Sequence, residues 1–93
     1  MSEQRKELID FANFMEKVLK ENDWKGGWQK MNISSLVIRA KEELTELEGI
    51  AIEGIANSLS IPFEIRMKAL QKECADVANF MMMLYDNINR LRE

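Results

Sequence analysis

Histidine is absent from the 93 residues and cysteine occurs once, as Cys74. Without imidazole the chain has no Ser-His-Asp or Cys-His catalytic unit, no His-ligated zinc and no imidazole proton shuttle. A lone thiol closes no intrachain disulfide and builds no cysteine zinc site. An excess of positive charge is missing too: 13 Lys and Arg stand against 16 Asp and Glu, for a formal charge of −3. That balance provides no electrostatic footprint for a nucleic-acid polymer or an anionic membrane. No apolar run approaches the ~18 residues of a membrane span, and the segment MSEQRKELID has no signal-peptide core, so a cytoplasmic protein is expected. Carboxylates, with a hard metal they could hold, remain as the leading chemistry.

Hydrophobic residues at 46% and aromatics at 8% describe a globular chain rather than a disordered one. The length suits a single domain over residues 1–93. A core of that size is modest, so folding is expected to lean on a partner copy. Turn punctuation is concentrated at Gly26-Gly27 and in the stretch from Ala56 to Pro62, which leaves three periodic segments and an all-α fold. In the first, Leu8, Phe11, Ala12, Met15, Val18 and Leu19 recur at spacings of three and four, predicting a helix to about Glu21 with Ser2 as its cap. The second carries Val37, Ala40, Leu44, Leu47, Ala51 and Ile55, with Ser34 or Ser35 as the expected cap and a distal end weakened by Gly49 and Gly54. The third places Pro62 in its first turn and runs to about Leu91, with Phe63, Met67, Leu70, Cys74, Val77, Met81, Leu84, Tyr85 and Ile88 as one core stripe.

Between Val77 and Tyr85 the run VANFMMMLY is apolar on nearly every side, with Asn79 its one polar member. Such a helix must be enclosed on more than one side, and three helices supply few surfaces for that. The expected architecture is therefore three main helices per chain forming a four-helix-bundle-type core through dimerisation. The triple methionine reads as adaptable packing at that interface, and Cys74 as a small buried core residue.

Four acids stand in or beside apolar rows. Glu43 falls between Leu36, Ala40, Leu47 and Ile50, with Glu46 bordering the row, and the two project about 60° apart at 100° per residue. Glu73 and Asp76 repeat the i,i+3 arrangement on the third helix. Packed together without compensation they would repel, because burying one unpaired carboxylate costs several kcal/mol or forces protonation. A divalent cation resolves the conflict, and four carboxylates suit Mg²⁺, with Mn²⁺ as a substitute. The same spacing also arises in glutamate-rich helices that are simply solvated, or paired with Arg39, Lys41 or Lys72.

Written out, Glu42-Glu43-Leu44-Thr45-Glu46 is followed after 26 residues by Glu73-Cys74-Ala75-Asp76. This E-E-x-x-E and E-x-x-D pair resembles the motif of the MazG-like all-α nucleoside triphosphate pyrophosphohydrolases. The flanks Lys25-Gly26-Gly27-Trp28 and Asp76 to Met83 are similar to compact members of that superfamily, and the resemblance spans residues 24 to 88. It implies a helical homodimer, in some members a dimer of dimers, that cleaves the α–β phosphoanhydride of a nucleoside triphosphate to the monophosphate and pyrophosphate. Matched by position, Glu43, Glu46, Glu73 and Asp76 fall on the Mg²⁺ ligands. Glu42 falls on the remaining motif acid, which has a supporting or water-activating role, and Asn79 on a polar position facing the nucleotide.

The charges then suggest a mechanism. A triphosphate carries about −4, which an acidic pocket repels unless a bound cation offsets it. A water held by the carboxylates attacks in line, and with no histidine present a carboxylate of the set Glu42, Glu43 and Glu46 accepts its proton. Lys25, Arg39 and Lys72 are the candidate cations for the departing pyrophosphate. Trp24 and Trp28 can stack on a base, or equally clamp the loop as a lid on the small core. Gly26-Gly27 lacks the Lys-Ser or Lys-Thr of a P-loop and reads as a tight turn. Two other readings stand beside the enzyme: a helical dimerisation or adaptor module with its acids splayed into solvent, and a family member that keeps the site without turnover.

Overall fold

Sixteen residues from Lys6 to Glu21 form the first helix, α1, in the computed structural model, which describes residues 3–22, 26–53 and 61–93. The expected cap Ser2 lies outside the described residues, and the helix begins at Lys6, with Arg5 extended in the cap position and no side-chain cap. At the other end Asn22 closes the helix on itself, its side-chain amide donating to Val18 O and its backbone N–H to Leu19 O. Gly26 follows at φ +93°, in the left-handed region that glycine enters without a Cβ clash, and so supplies the turn read from the sequence.

The second helix, α2, spans Ile33–Glu48. Its cap is Asn32, not Ser34 or Ser35: Asn32 Oδ1 accepts from Ser35 N at 2.8 Å and from Ser34 Oγ at 3.0 Å. Both serines are already in the first turn, and Asn32, just ahead of Ile33, has the extended backbone a cap requires. Beyond Glu48 the helix loosens into a π-helical turn over Gly49–Glu53, in keeping with the weakened distal end.

The third helix, α3, runs Phe63–Arg92. Pro62 sits one position earlier than expected, at the cap, where its carbonyl accepts from Arg66 N. Thirty residues at about 1.5 Å each make a rod of about 45 Å, which sets the long dimension of a molecule 51 × 36 × 23 Å. The architecture is all-helical, with no strand among the described residues. α3 is the spine: α2 packs along it extensively and α1 less so, which places α1 and α2 as flanks rather than mutual partners. No helix among the described residues is long and apolar enough to cross a membrane.

The packing corrects one expectation about α3. Its buried face is Ala75, Asn79 and Asn87, whereas Phe63 is 66% exposed, Met81 50% and Tyr85 68%. Cys74 is exposed as well, so it is not a core residue of this chain. The reason is geometric. In a run apolar on nearly every side, period alone cannot choose a face, and α2 docks on the side that carries Glu73, Asp76, Phe80 and Met83. Only Val18, Leu36, Ala40 and Ala75 are buried apolar residues among those described. The radius of gyration, 15.4 Å, exceeds the roughly 12 Å of a compact domain of this length.

Candidate functional site

Where α2 crosses α3, the i,i+3 acid pairs of the two helices face each other. Carboxylate oxygens of Glu43, Glu73 and Asp76 lie within 4.8 Å of one another, each side chain half-buried. Glu46, one turn along α2 and exposed, borders the same cavity of about 440 Å³. Arg39 and Lys72 also line it, as do Trp28, Met31, Phe80 and Met83 on the apolar side. The volume falls in the range of small-molecule sites, which join an apolar wall to a few convergent polar groups.

The electrostatics follow from crowding like charges. Burial, then the charge of Glu46, a hydrogen bond with Glu73 and the charge of Asp76, push Glu43 up from 4.5 to about 7. Burial also raises Glu73, against the hydrogen bond from Glu43 that favours its ionised form and with the charges of Asp76 and Glu46 adding to the rise. One oxygen of this residue, Glu73 Oε2, is buried with no hydrogen-bond donor. Lys72 is partly desolvated, which opposes its charge, but Asp76 at 3.3 Å outweighs that and raises its pKa.

The other residues singled out in the sequence divide. Arg39 stands over the Phe80 ring, 5.5 Å from its centroid, and so joins the cation to the apolar wall. Its Nε is 3.7 Å from Glu42, which is exposed and does not line the cavity. Asn79 lines the cavity while its amide donates to Met15 O of α1 at 3.1 Å, and its Oδ1 is buried without a partner. Trp24 and Lys25 lie outside the described residues. The methionine run splits, with Met81 exposed and Met83 in the cavity wall. Asp86 and Asn87, which hold the Trp28 segment, belong to no motif in the sequence. Their one signal is position, on the α3 face that continues from Asn79 by turns of three and four.

The raised carboxylates have a measurable consequence. Glu43 ionises near 4.5 in the unfolded chain and near 7 in the fold, so the native state binds the extra proton and its stabilising effect is complete below about pH 4.5. That contribution is lost as pH rises through 7. Wild type and Glu43→Gln are therefore expected to melt alike near pH 4, and the variant to melt higher at pH 8. After discounting for solvent screening the gap is on the order of 1 kcal/mol, or roughly 4–8 °C. Equal melting points at both pH values would remove the like-charge crowding.

Comparison of the chain with protein-family models, with curated proteins and with solved structures finds no match. The functional reading accordingly rests on the motif and on the geometry of this cavity.

Proposed function

We propose that the protein is a Mg²⁺-dependent nucleoside triphosphate pyrophosphohydrolase of the MazG-like kind, acting as a homodimer. The observation that carries this reading is the meeting of Glu43, Glu73 and Asp76 within 4.8 Å, in a cavity also lined by the side chains of Arg39 and Lys72 and by an aromatic wall. An adaptor surface would instead splay those acids into solvent. The donor set fits the metal: the converging atoms are carboxylate oxygens, the hard ligands that Mg²⁺ and Mn²⁺ prefer, and Glu73 Oε2 is a buried oxygen with no donor of its own. Glu43, Glu73 and Asp76 would hold the ion, with Glu46 beside them. Bound there, it would supply positive charge against the triphosphate and the charge that builds on the phosphoryl oxygens.

The remaining chemistry belongs to the chain. Arg39 and Lys72 offset charge on the polyphosphate from the cavity rim. A water positioned by the carboxylates attacks the α-phosphorus, the bond to the α–β bridging oxygen breaks, and pyrophosphate leaves with that oxygen. Glu46, exposed at the edge of the cluster, takes the water's proton, since no histidine is present to do so. Trp28, Met31, Phe80 and Met83 face the base.

Support for the dimer is the uncovered apolar stripe of α3, including Phe63, Met81, Tyr85 and Ile88, with few apolar side chains buried among the described residues. The direct test is a panel of common and damaged NTPs and dNTPs incubated with the protein and Mg²⁺. Pyrophosphate and the matching monophosphate are expected from at least one of them. No product from any nucleotide, together with no Mg²⁺-induced rise in melting temperature, would reject the assignment, and a rise without product would leave a silent metal-binding relative.

A further inference from the structure

The bonds that tie the segment after Gly26 to α3 converge on two neighbouring residues that the carboxylate chemistry leaves unused. Trp28 Nε1 donates to Asp86 Oδ2 at 2.9 Å, and Arg90, one turn further along α3, donates to the same oxygen. Asn87 directs its side-chain amide to the backbone of the same segment, reaching Trp28 O at 3.0 Å and Met31 O at 2.9 Å. Asn87 is buried, and so it reads as a structural clamp rather than a solvated polar residue. Trp28 is thus held at two points, its ring N–H by Asp86 and its carbonyl by Asn87.

An indole retained by packing alone would be free to change rotamer, particularly beside an open cavity. Tethered at Nε1 to Asp86, which lies beyond Asp76 along α3, Trp28 stays in the wall that also contains Phe80 and Met83. A preorganised aromatic surface binds a planar ring without the cost of ordering a loop. The Trp28 hydrogen bond and then Arg90 hold the Asp86 carboxyl below its ordinary range, which keeps it an acceptor across the neutral range.

We propose that Asp86 and Asn87 are positioning residues that lock Trp28 as a fixed wall for the planar base of the nucleotide, and so govern recognition of the base end and not the phosphate chemistry. The inference rests on the nucleotide reading of the cavity, and its experiment separates the two. In ¹H–¹⁵N spectra of the full chain, Trp28→Phe assigns the Trp28 indole signal. Asp86→Ala is expected to move that signal upfield, and Asp86→Asn, which keeps an acceptor oxygen, to restore most of its position. In steady-state assays with Mg²⁺, Asp86→Ala and Asn87→Ala should each raise KM for a nucleoside triphosphate by about tenfold, the scale of one weakened stacking contact. The same variants should leave kcat and inhibition by inorganic triphosphate within about twofold, and Asp86→Asn should recover KM.

A fall in kcat at unchanged KM, or an equal loss of inorganic triphosphate inhibition, would overturn the proposal. An indole signal unmoved by Asp86→Ala would do the same. If no nucleotide is hydrolysed, the catalytic reading fails by itself, and calorimetric binding of nucleoside triphosphate against inorganic triphosphate judges the clamp instead: selective loss of the nucleotide supports it, and equal loss, or no nucleotide binding to the wild type, rejects it. Melting followed by circular dichroism identifies a variant that fails to fold; if Asp86→Ala does, Asn87→Ala decides, a raised KM at unchanged kcat supporting the proposal and an unchanged KM rejecting it.

Discussion

Asp76→Asn is expected to lower kcat/KM for pyrophosphate release by about 10³-fold or more while the chain remains helical. The size follows from what the carboxylate does in the proposed site. It is one of three oxygens within 4.8 Å, its side chain is 15% exposed, and it is the partner of Lys72. An amide in its place contributes a neutral oxygen to the ion and releases Lys72 from its position, so two of the charges aimed at the polyphosphate are disturbed together. Stability should not suffer in proportion, because removing one of several crowded like charges relieves Glu43 and Glu73. Glu46→Gln is expected to act in the same direction through the proton it no longer accepts. A pyrophosphate-coupled assay at several Mg²⁺ concentrations, run beside circular dichroism, reads both effects. Near wild-type turnover by Asp76→Asn would take that residue out of the site.

The second large effect concerns assembly. If the chain pairs as proposed, Met81→Asp is expected to convert the proposed dimer to monomers at micromolar concentration, by sedimentation or light scattering. Met81 is half exposed in the single chain and stands in the stripe with Phe63, Tyr85 and Ile88. Covering a large apolar side chain stabilises by roughly 1.5–3 kcal/mol, and a two-fold interface counts each position twice, so the substitution removes about 3–6 kcal/mol before the cost of burying a carboxylate. That is a change of roughly 10²–10⁴ in the dissociation constant. Tyr85→Asp should behave alike. A wild type that is monomeric at these concentrations, or a Met81→Asp protein that remains dimeric, would show that the stripe is not the interface.

Much of the fold is legible in the residues because helical period is a local property. The spacing of Leu8 to Leu19, the weak end at Gly49 and the long run to α3's last turn all translate directly into elements. Caps translate less well. Asn32, Ser34 and Ser35 are all good capping types, and the choice among them depends on which residue has the extended backbone when the chain docks. The acid pairs were visible as acids in apolar rows, and three of the four carboxylates meet. Glu42 was equally prominent in the motif, yet its rotation about α2 leaves it outside the cavity beside Arg39.

The orientation of α3 was beyond the reach of pattern. VANFMMMLY presents a similar surface in most directions, so its inward face is selected by α1, α2 and the Trp28 segment rather than by the run itself. That selection puts Cys74 outside and Met83 in the cavity. It also buries Asn79 and Asn87, each giving its amide hydrogens to a backbone carbonyl far away in the chain. From the sequence alone come an all-helical chain, two acid pairs set in apolar rows, and the exclusion of imidazole chemistry by the lack of histidine. Only the tertiary structure decides which carboxylates converge, which face of α3 is left uncovered and what holds Trp28, because each of these depends on contacts between residues distant in sequence, and local spacing carries no record of them.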